Sequence, residues 1–298
     1  MIGLDIKHLV LCMSVLLAAC AAPKPPTQSG EAVVSTSATG YATTAGQGAY
    51  TVHYTYTGKN WTHAEVAAIK IDTAKPIAIL PQQYTVNGEQ PGAFVNGRHV
   101  GKVWNTITQE ELAKRLTALG FYVLTPTIQM YGESLNGFQG FEHFIAGVAK
   151  GNPHVQTMLL TADAHDPNDQ NPKPGAQMLV TGTQPRNAQW EAMIQARIAP
   201  FYKQVGLGNL GPRVRGGKSD KEGSSLAWHP LIERAAEYSN AVAIMEVSRA
   251  IDIENAVGKI EAGRTWAAPL FDAVALGMAD YACTKGFALA HCKTIGSR

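Results

Sequence analysis

The chain has little net charge and lacks the common catalytic and nucleotide-binding motifs. Its 25 Lys and Arg against 23 Asp and Glu leave a formal net charge of +2 over 298 residues. The only basic cluster, Arg213, Arg215 and Lys218, is too small to indicate a nucleic-acid partner. The sequence contains no HExxH, Walker loop, GxSxG or CxxC, and no Ser or Cys nucleophile is evident. Any chemistry must therefore come from dispersed residues.

Long hydrophobic runs are also scarce. The apolar run from Leu9 to Leu17 follows a basic start and ends in Leu17-Ala18-Ala19-Cys20. It is about half of the roughly 20 residues that a membrane-spanning helix needs, so we interpret residues 1–19 as an export signal. Its ending resembles the lipobox of bacterial lipoproteins. That resemblance implies that Cys20 is acylated and that the protein is anchored in the outer membrane, facing the periplasm. A non-lipidated secretory signal, or a Cys there by chance, is the alternative.

Cysteine is rare, with four residues in the chain. Cys12 belongs to the signal and Cys20 to the lipobox-like ending, which leaves Cys283 and Cys292 in the remainder. An oxidising periplasm favours a disulfide between two thiols so close in sequence. Two free, buried thiols are the alternative.

Bulky side chains are almost missing from residues 21–48, which contain mainly Pro, Thr, Ser, Gly and Ala. Such a segment cannot bury a core, so we interpret residues 20–48 as the lipidated Cys and a flexible tether. Residues 49–298 are long enough for a single domain.

Apolar runs and helical patterns alternate along that domain. We predict an edge strand at 50–56 and buried strands at 76–80, 121–125, 157–162, 176–181 and 241–247. We predict helices that begin at Thr108, cover 140–150 and 187–199, and follow the apolar stripe from Leu270 to Tyr281, with Pro200 ending or kinking the third of them. This alternation predicts an α/β fold with a mostly parallel sheet and helices on both faces.

Two groups of polar residues follow predicted strands. Glu246 ends the apolar run of the strand at 241–247, a position where open α/β sheets bind ligands. A structural pair with an Arg such as Arg215 is the alternative. The segment from Asp163 to Asp169, which contains His165, could bind a metal ion or simply form a turn.

Seven short segments follow one another in a definite order between about residues 74 and 284. They are Pro91-Gly92-Ala93, Asn96-Gly97, Lys102-Val103-Trp104-Asn105, Gly175-Ala176-Gln177, Arg215-Gly216-Gly217-Lys218, the strand from Ala241 to Glu246, and the closing helix at 266–282. In this order they resemble the catalytic domains of the zinc-dependent N-acetylmuramoyl-L-alanine amidases. The resemblance implies an amidase-like α/β fold and a first helix that starts near Lys102. It also implies a catalytic role for Glu246.

The zinc ligands of that family do not match this sequence. Gln83, in a turn expected over 81–84, stands where the family has its first His. Gly101 stands at the family's Glu, with His99 nearby. The second His falls on Thr161 or on His165, depending on the alignment.

Such a ligand set is too small to hold a catalytic zinc, which needs about three protein ligands. We therefore expect no cofactor and a binding groove that contains Gln83, Thr161, Asp163 and Arg215 beside Glu246. The first hypothesis is a lipid-anchored, non-catalytic protein that binds peptidoglycan or another envelope protein.

Two other hypotheses stay open. The second is an active peptidoglycan amidase with a rearranged zinc site made of His99, His165 and Glu246. The third is an unrelated α/β hydrolase or a carbohydrate-binding lipoprotein.

Overall fold

A computed structural model describes residues 52–55, 72–85, 94–95, 98–130, 145, 147–149, 152–163, 175–181, 184–215, 232 and 235–295. The expected signal, Cys20 and the tether lie outside these residues, as does His165. Within the described part of the chain, no helix is long and apolar enough to cross a membrane.

Ten strands occur among the described residues. They are β1 Val52–Thr55, β2 Ile77–Ile79, β3 Gln82–Thr85, β4 Phe94–Val95, β5 Arg98–His99, β6 Tyr122–Met130, β7 Gln156–Asp163, β8 Gly175–Thr181, β9 Gly208–Arg215 and β10 Ala241–Arg249. The α-helices whose bounds are described are α1 Gly101–Ala118, α2 Ala188–Val205, α3 Ala250–Val257, α4 Gly263–Trp266, α5 Ala268–Thr284 and α6 Ala290–Ile295. A 3-10 turn, Ile260–Ala262, separates α3 from α4.

The main sheet has the order β1-β6-β2-β7-β10-β8-β9, and β3 pairs with β6. Its neighbours are parallel except for β10 and β8. Strands β4 and β5 form a separate two-stranded hairpin. The predicted α/β class with a mostly parallel sheet is confirmed, and the expected edge strand is β1.

Helices cover both faces of this sheet. On one face, Trp104 of α1, Trp190 of α2 and Phe271 of α5 are fully buried in a large apolar cluster. On the other face, a second cluster unites strand residues such as Ile79 and Ile244 with helical side chains from the predicted 140–150 helix and from Ile232 and Ala235. Strand residues alternate between these two clusters because successive side chains point to opposite faces.

The turn expected at 81–84 is wrong. Strand β3 continues β2 along β6 in one register, since Ile79 pairs with Leu124 and Gln82 pairs with Thr127. Between them Leu80 donates its amide to the Leu124 carbonyl at 2.8 Å, and Pro126 of β6 has no N–H with which to continue the ladder. Gln83 therefore lies in a strand.

The helix start expected at Thr108 is also wrong. Helix α1 begins at Gly101, close to the start that the amidase resemblance implies. Thr108 lies inside the helix and donates its hydroxyl to the carbonyls of Asn105 (3.0 Å) and Leu160 (2.8 Å). A residue suited to an N-cap thus ties the helix to β7 instead.

Helix α2 confirms the predicted helix at 187–199 and extends it. Asn187 caps it by accepting from the Trp190 amide at 3.0 Å. Pro200 lies within the helix, which ends only at Gly206 with φ 70°. The following turn, Phe201-Tyr202, is buried against the sheet, and that packing outweighs the hydrogen bond lost at Pro200.

The disulfide between Cys283 and Cys292 is confirmed. It links the end of α5 to α6. His291 of α6 adds a contact to Asp280 of α5, with Nε2 and Oδ1 2.7 Å apart.

Strand β9, which the sequence did not predict, lies at the second edge of the sheet. It carries a bulge at Gly211, whose φ is 69°, followed by Pro212. Asn209 supports the bulge by accepting from the Gly211 amide at 3.1 Å.

Candidate functional site

Glu246 lies three residues before the end of β10 and is level with a polar residue on each neighbouring strand. It pairs with Thr161 of β7 on one side and with Gln177 of β8 on the other. Residues two positions away on these strands, Leu159, Ile244 and Leu179, belong to the second apolar cluster. Glu246, Thr161 and Gln177, which we call the polar row, therefore lie on the same face of the sheet as the second apolar cluster, next to its last apolar residues.

The polar row is joined by a hydrogen bond. Gln177 donates its side-chain amide to the Glu246 carboxylate through Nε2 and Oε2. Thr161 donates its hydroxyl to the Ala162 carbonyl at 3.3 Å. Glu246 is half-buried, and the Gln177 amide offsets part of the cost of removing its charge from water.

Beyond Glu246, β10 carries a charged pair. Arg249 donates to both carboxylate oxygens of Asp252 at 2.6 Å each, in a two-pronged contact across the start of α3. Ser248, which is fully buried, lies 3.4 Å from Asp252 Oδ2. A cation held by this ion pair thus follows Glu246 by three residues along β10.

The structure brings one of the expected groove residues to this row, since Thr161 is beside Glu246. Gln83 lies in β3, which pairs with β6; the pairing of β2 with β7 ends at Ile79. Asp163, the last residue of β7, stands opposite Arg249.

Arg215 does not join them. It pairs with Thr181, four residues along β8 from Gln177. Because β8 runs antiparallel to β10, the carboxyl ends of β8 and β9 point to the opposite edge of the sheet from that of β10. The sequence could not reveal this reversal, which separates Arg215 from Glu246.

His99 belongs to the β4–β5 hairpin, where it pairs with Phe94. Its neighbour Arg98 donates to the buried carboxylate of Glu254 on α3 at 2.6 Å. Since α3 follows β10 directly, this ion pair holds the hairpin near the carboxyl end of β10.

The described residues of the polar row do not fit a zinc ion. Zinc in proteins is held by imidazole, thiolate or carboxylate groups, whereas Thr161 and Gln177 supply a hydroxyl and an amide. Among the residues that the structure describes, no group of three or more His, Cys, Asp or Glu side chains could hold a metal ion.

Sequence reasoning missed Arg249 and Asp252 as members of this edge. Neither residue directly ends an apolar run, which was the signal that singled out Glu246. The register shift in β10 that sets Arg249 opposite Asp163 cannot be read from the sequence. Gln177 was part of the segment Gly175-Ala176-Gln177, but its contact with Glu246 depends on the antiparallel pairing of β8.

No protein-family model matches this chain, and no curated protein matches its sequence. Solved structures of N-acetylmuramoyl-L-alanine amidases are similar to part of this chain. The CwlD amidase from Clostridioides difficile, in complex with the GerS lipoprotein, has a TM-score of 0.48 and 14% identity, covering 70% of this chain and 99% of that chain. Ami1 from Mycobacterium smegmatis has a TM-score of 0.44 and 16% identity, covering 70% and 97%. AmiC2 of Nostoc punctiforme has a TM-score of 0.43 and 12% identity, again covering 70% and 97%. With TM-scores below 0.5 and identities of 12–16%, this similarity assigns neither a family nor an activity to this chain.

Proposed function

We propose that this protein is a lipid-anchored component of the bacterial envelope that binds peptidoglycan at the polar row without cutting it. The observation that carries the proposal is the pairing of Glu246 with Thr161 and Gln177. A hydroxyl, an amide and one carboxylate can hydrogen-bond to the amides and hydroxyls of a peptide-bearing glycan.

The donor set is the reason for proposing binding rather than hydrolysis. A zinc-bound water reaches a pKa near 7 only when about three protein ligands hold the metal. Of the polar row, Glu246 alone is a zinc-type ligand, and Gln177 already donates to its carboxylate. We derive no hydrolytic step for this site.

The position of the row also favours a ligand site. It lies towards the carboxyl ends of the parallel strands β7 and β10, the edge at which open α/β sheets take their ligands. The lipid anchor and the tether expected at residues 20–48 would hold this edge within reach of the cell wall.

The proposal is tested by sedimenting the purified protein with peptidoglycan sacculi and measuring its zinc content. We expect co-sedimentation, no release of stem peptides and no stoichiometric zinc. Glu246→Gln should weaken binding by about tenfold to a hundredfold, since a hydrogen bond to a charged group contributes roughly 1.5–3 kcal/mol. Glu261→Gln, at an exposed position of the 3-10 turn, is the matched control and should bind like the parent.

The alternative is an active amidase, and the same experiment distinguishes it from a protein that only binds peptidoglycan. Stoichiometric zinc together with wall hydrolysis in a zymogram, abolished by Glu246→Ala, would establish it. Absence of sacculus binding together with absence of hydrolysis would reject both functions.

A further inference from the structure

Strand β10 contains a bulge directly after Glu246. Glu246 pairs with Thr161, but the next paired residue, Arg249, stands opposite Asp163. Two residues of β10, Val247 and Ser248, therefore face the single residue Ala162. A bulge of this kind breaks the ladder locally and redirects the side chains that follow.

The bulge decides on which face Arg249 lies. With strict alternation, residues 246 and 248 would share one face and Arg249 would lie on the other. The extra residue instead sets Arg249 level with Asp163, two positions beyond Thr161 along β7. Glu246 and Arg249 are thereby brought to one face of the sheet.

A tyrosine from the covering helix holds the bulge. Tyr202 of α2 donates its hydroxyl to the Val247 carbonyl at 2.8 Å. The Tyr202 side chain is almost fully buried, and burial raises the pKa of its phenol, so the hydroxyl keeps its proton and remains a donor. Its ring packs edge-on against Phe201, with centroids 5.2 Å apart.

We propose that Tyr202 is a positioning residue of the candidate site: its hydroxyl fixes the bulge at Val247 and so sets the placement of Glu246 and Arg249. The ligand part of this inference rests on the proposed peptidoglycan binding, whereas the part concerning the bulge does not. Tyr202 itself lies under the sheet, on the α2 face, and touches the site only through the β10 backbone.

The chain offers a matched control. Tyr281 of α5 is equally buried, and its hydroxyl accepts from the Asn187 side-chain amide at 2.7 Å. Tyr202→Phe and Tyr281→Phe each remove one buried hydroxyl and keep the ring. Urea unfolding of both variants gives the loss of global stability in each, and a change in hydrogen exchange at β10 beyond that loss is local.

The first measurement is amide hydrogen exchange of the full chain, read on peptides that cover residues 241–252. We expect Tyr202→Phe to speed exchange at residues 246–249 roughly fivefold, the effect of losing one hydrogen bond. Tyr281→Phe should speed exchange at those amides no more than at other core amides, through its effect on global unfolding alone. Equal exchange in the two variants would overturn the positioning role, whatever the protein binds.

The second measurement is sacculus co-sedimentation of the same variants. Tyr202→Phe should bind several-fold more weakly than Tyr281→Phe, and should add no further loss in the Glu246→Gln background. If the parent binds sacculi but Tyr202→Phe binds as well as Tyr281→Phe, the ligand part is wrong. If the parent does not bind at all, the proposed function fails, while hydrogen exchange still decides the role of Tyr202.

Discussion

Buried carboxylates among the described residues form ion pairs with arginines, some of them far away in sequence. Glu191 at the start of α2 accepts from Arg186, and Glu254 of α3 accepts from Arg98, 156 residues away in sequence. An unpaired buried charge would cost several kcal/mol, so these contacts are conditions of folding rather than additions to it.

Asp280 of α5 is the clearest case for a test. It accepts from Arg197 of α2 at 2.7 and 3.0 Å and contacts His291 of α6. Burial alone would raise the pKa of Asp280, but the hydrogen bonds from Arg197 and His291 outweigh it and hold the pKa below its ordinary value of 3.8. A lowered pKa in the folded state stabilises the protein above the unfolded pKa, and that contribution is lost as the pH falls through the folded pKa.

Asp280→Asn should therefore lower the free energy of unfolding by about 1–2 kcal/mol near neutral pH. The difference from the parent should shrink as the pH falls below about 4, because the Asp280 carboxyl of the unfolded parent then gains a proton before that of the folded parent. Urea unfolding across this range measures it. Asp272→Asn is the control, because Asp272 is 60% exposed where it meets Arg115 and should change stability little. An Asp280→Asn effect that grows in acid would contradict the assignment.

At the scale of elements, α2 and α5 pack so closely that one position admits only glycine. A Cβ placed on Gly277 of α5 would lie 2.8 Å from Ile194 Cα and 3.1 Å from Ile194 Cγ1. Backbone cannot rotate away from such a contact, so the helices would have to separate.

Gly277→Ala should accordingly destabilise the protein by about 1–3 kcal/mol through overpacking. Helix propensity alone predicts the opposite sign, a gain of about 1 kcal/mol. Ala192→Gly at an exposed position of α2 measures that propensity in the same protein. Thermal unfolding of both variants decides between the two effects, and a stabilised Gly277→Ala would show that the helices can adjust.

The apolar patterns in the sequence predicted the strands that are buried on both faces. They missed elements whose conformation depends on pairing or packing with other parts of the chain. Runs such as Ala241 to Val247 correspond to β10 because a central parallel strand is apolar throughout. Strand β9 escaped prediction because Asn209, Gly211 and Pro212 are typical of a turn, although pairing with β8 holds them extended. Pro200 looked like a helix end because its effect depends on the packing of α2.

The candidate site was only partly accessible to such reasoning. Glu246 was singled out because it ends an apolar run. The contact from Gln177 and the exclusion of Arg215 both follow from the antiparallel direction of β8, which no local pattern encodes. Placement of Arg249 depends on the bulge, and a bulge changes pairing without changing composition.

At the scale of the whole molecule, the expected lipid anchor remains to be tested by experiment. If Cys20 is acylated, the full-length protein should incorporate labelled palmitate in cells and fractionate with the outer membrane. Cys20→Ser should abolish the label, because the serine hydroxyl cannot form the thioether to the lipid. Cys12→Ser, inside the expected signal, is the matched control and should keep the label. Palmitate retained by Cys20→Ser would show that the residue is not the attachment point.

The edge formed by β9 limits how the protein can assemble. The bulge at Gly211 interrupts the regular backbone spacing that a further strand would need for pairing. This side of the sheet is thus a poor template for a strand from a second copy or from an unfolding neighbour. Crowding many copies of the protein together would then carry little risk of edge-to-edge fibre growth from this side.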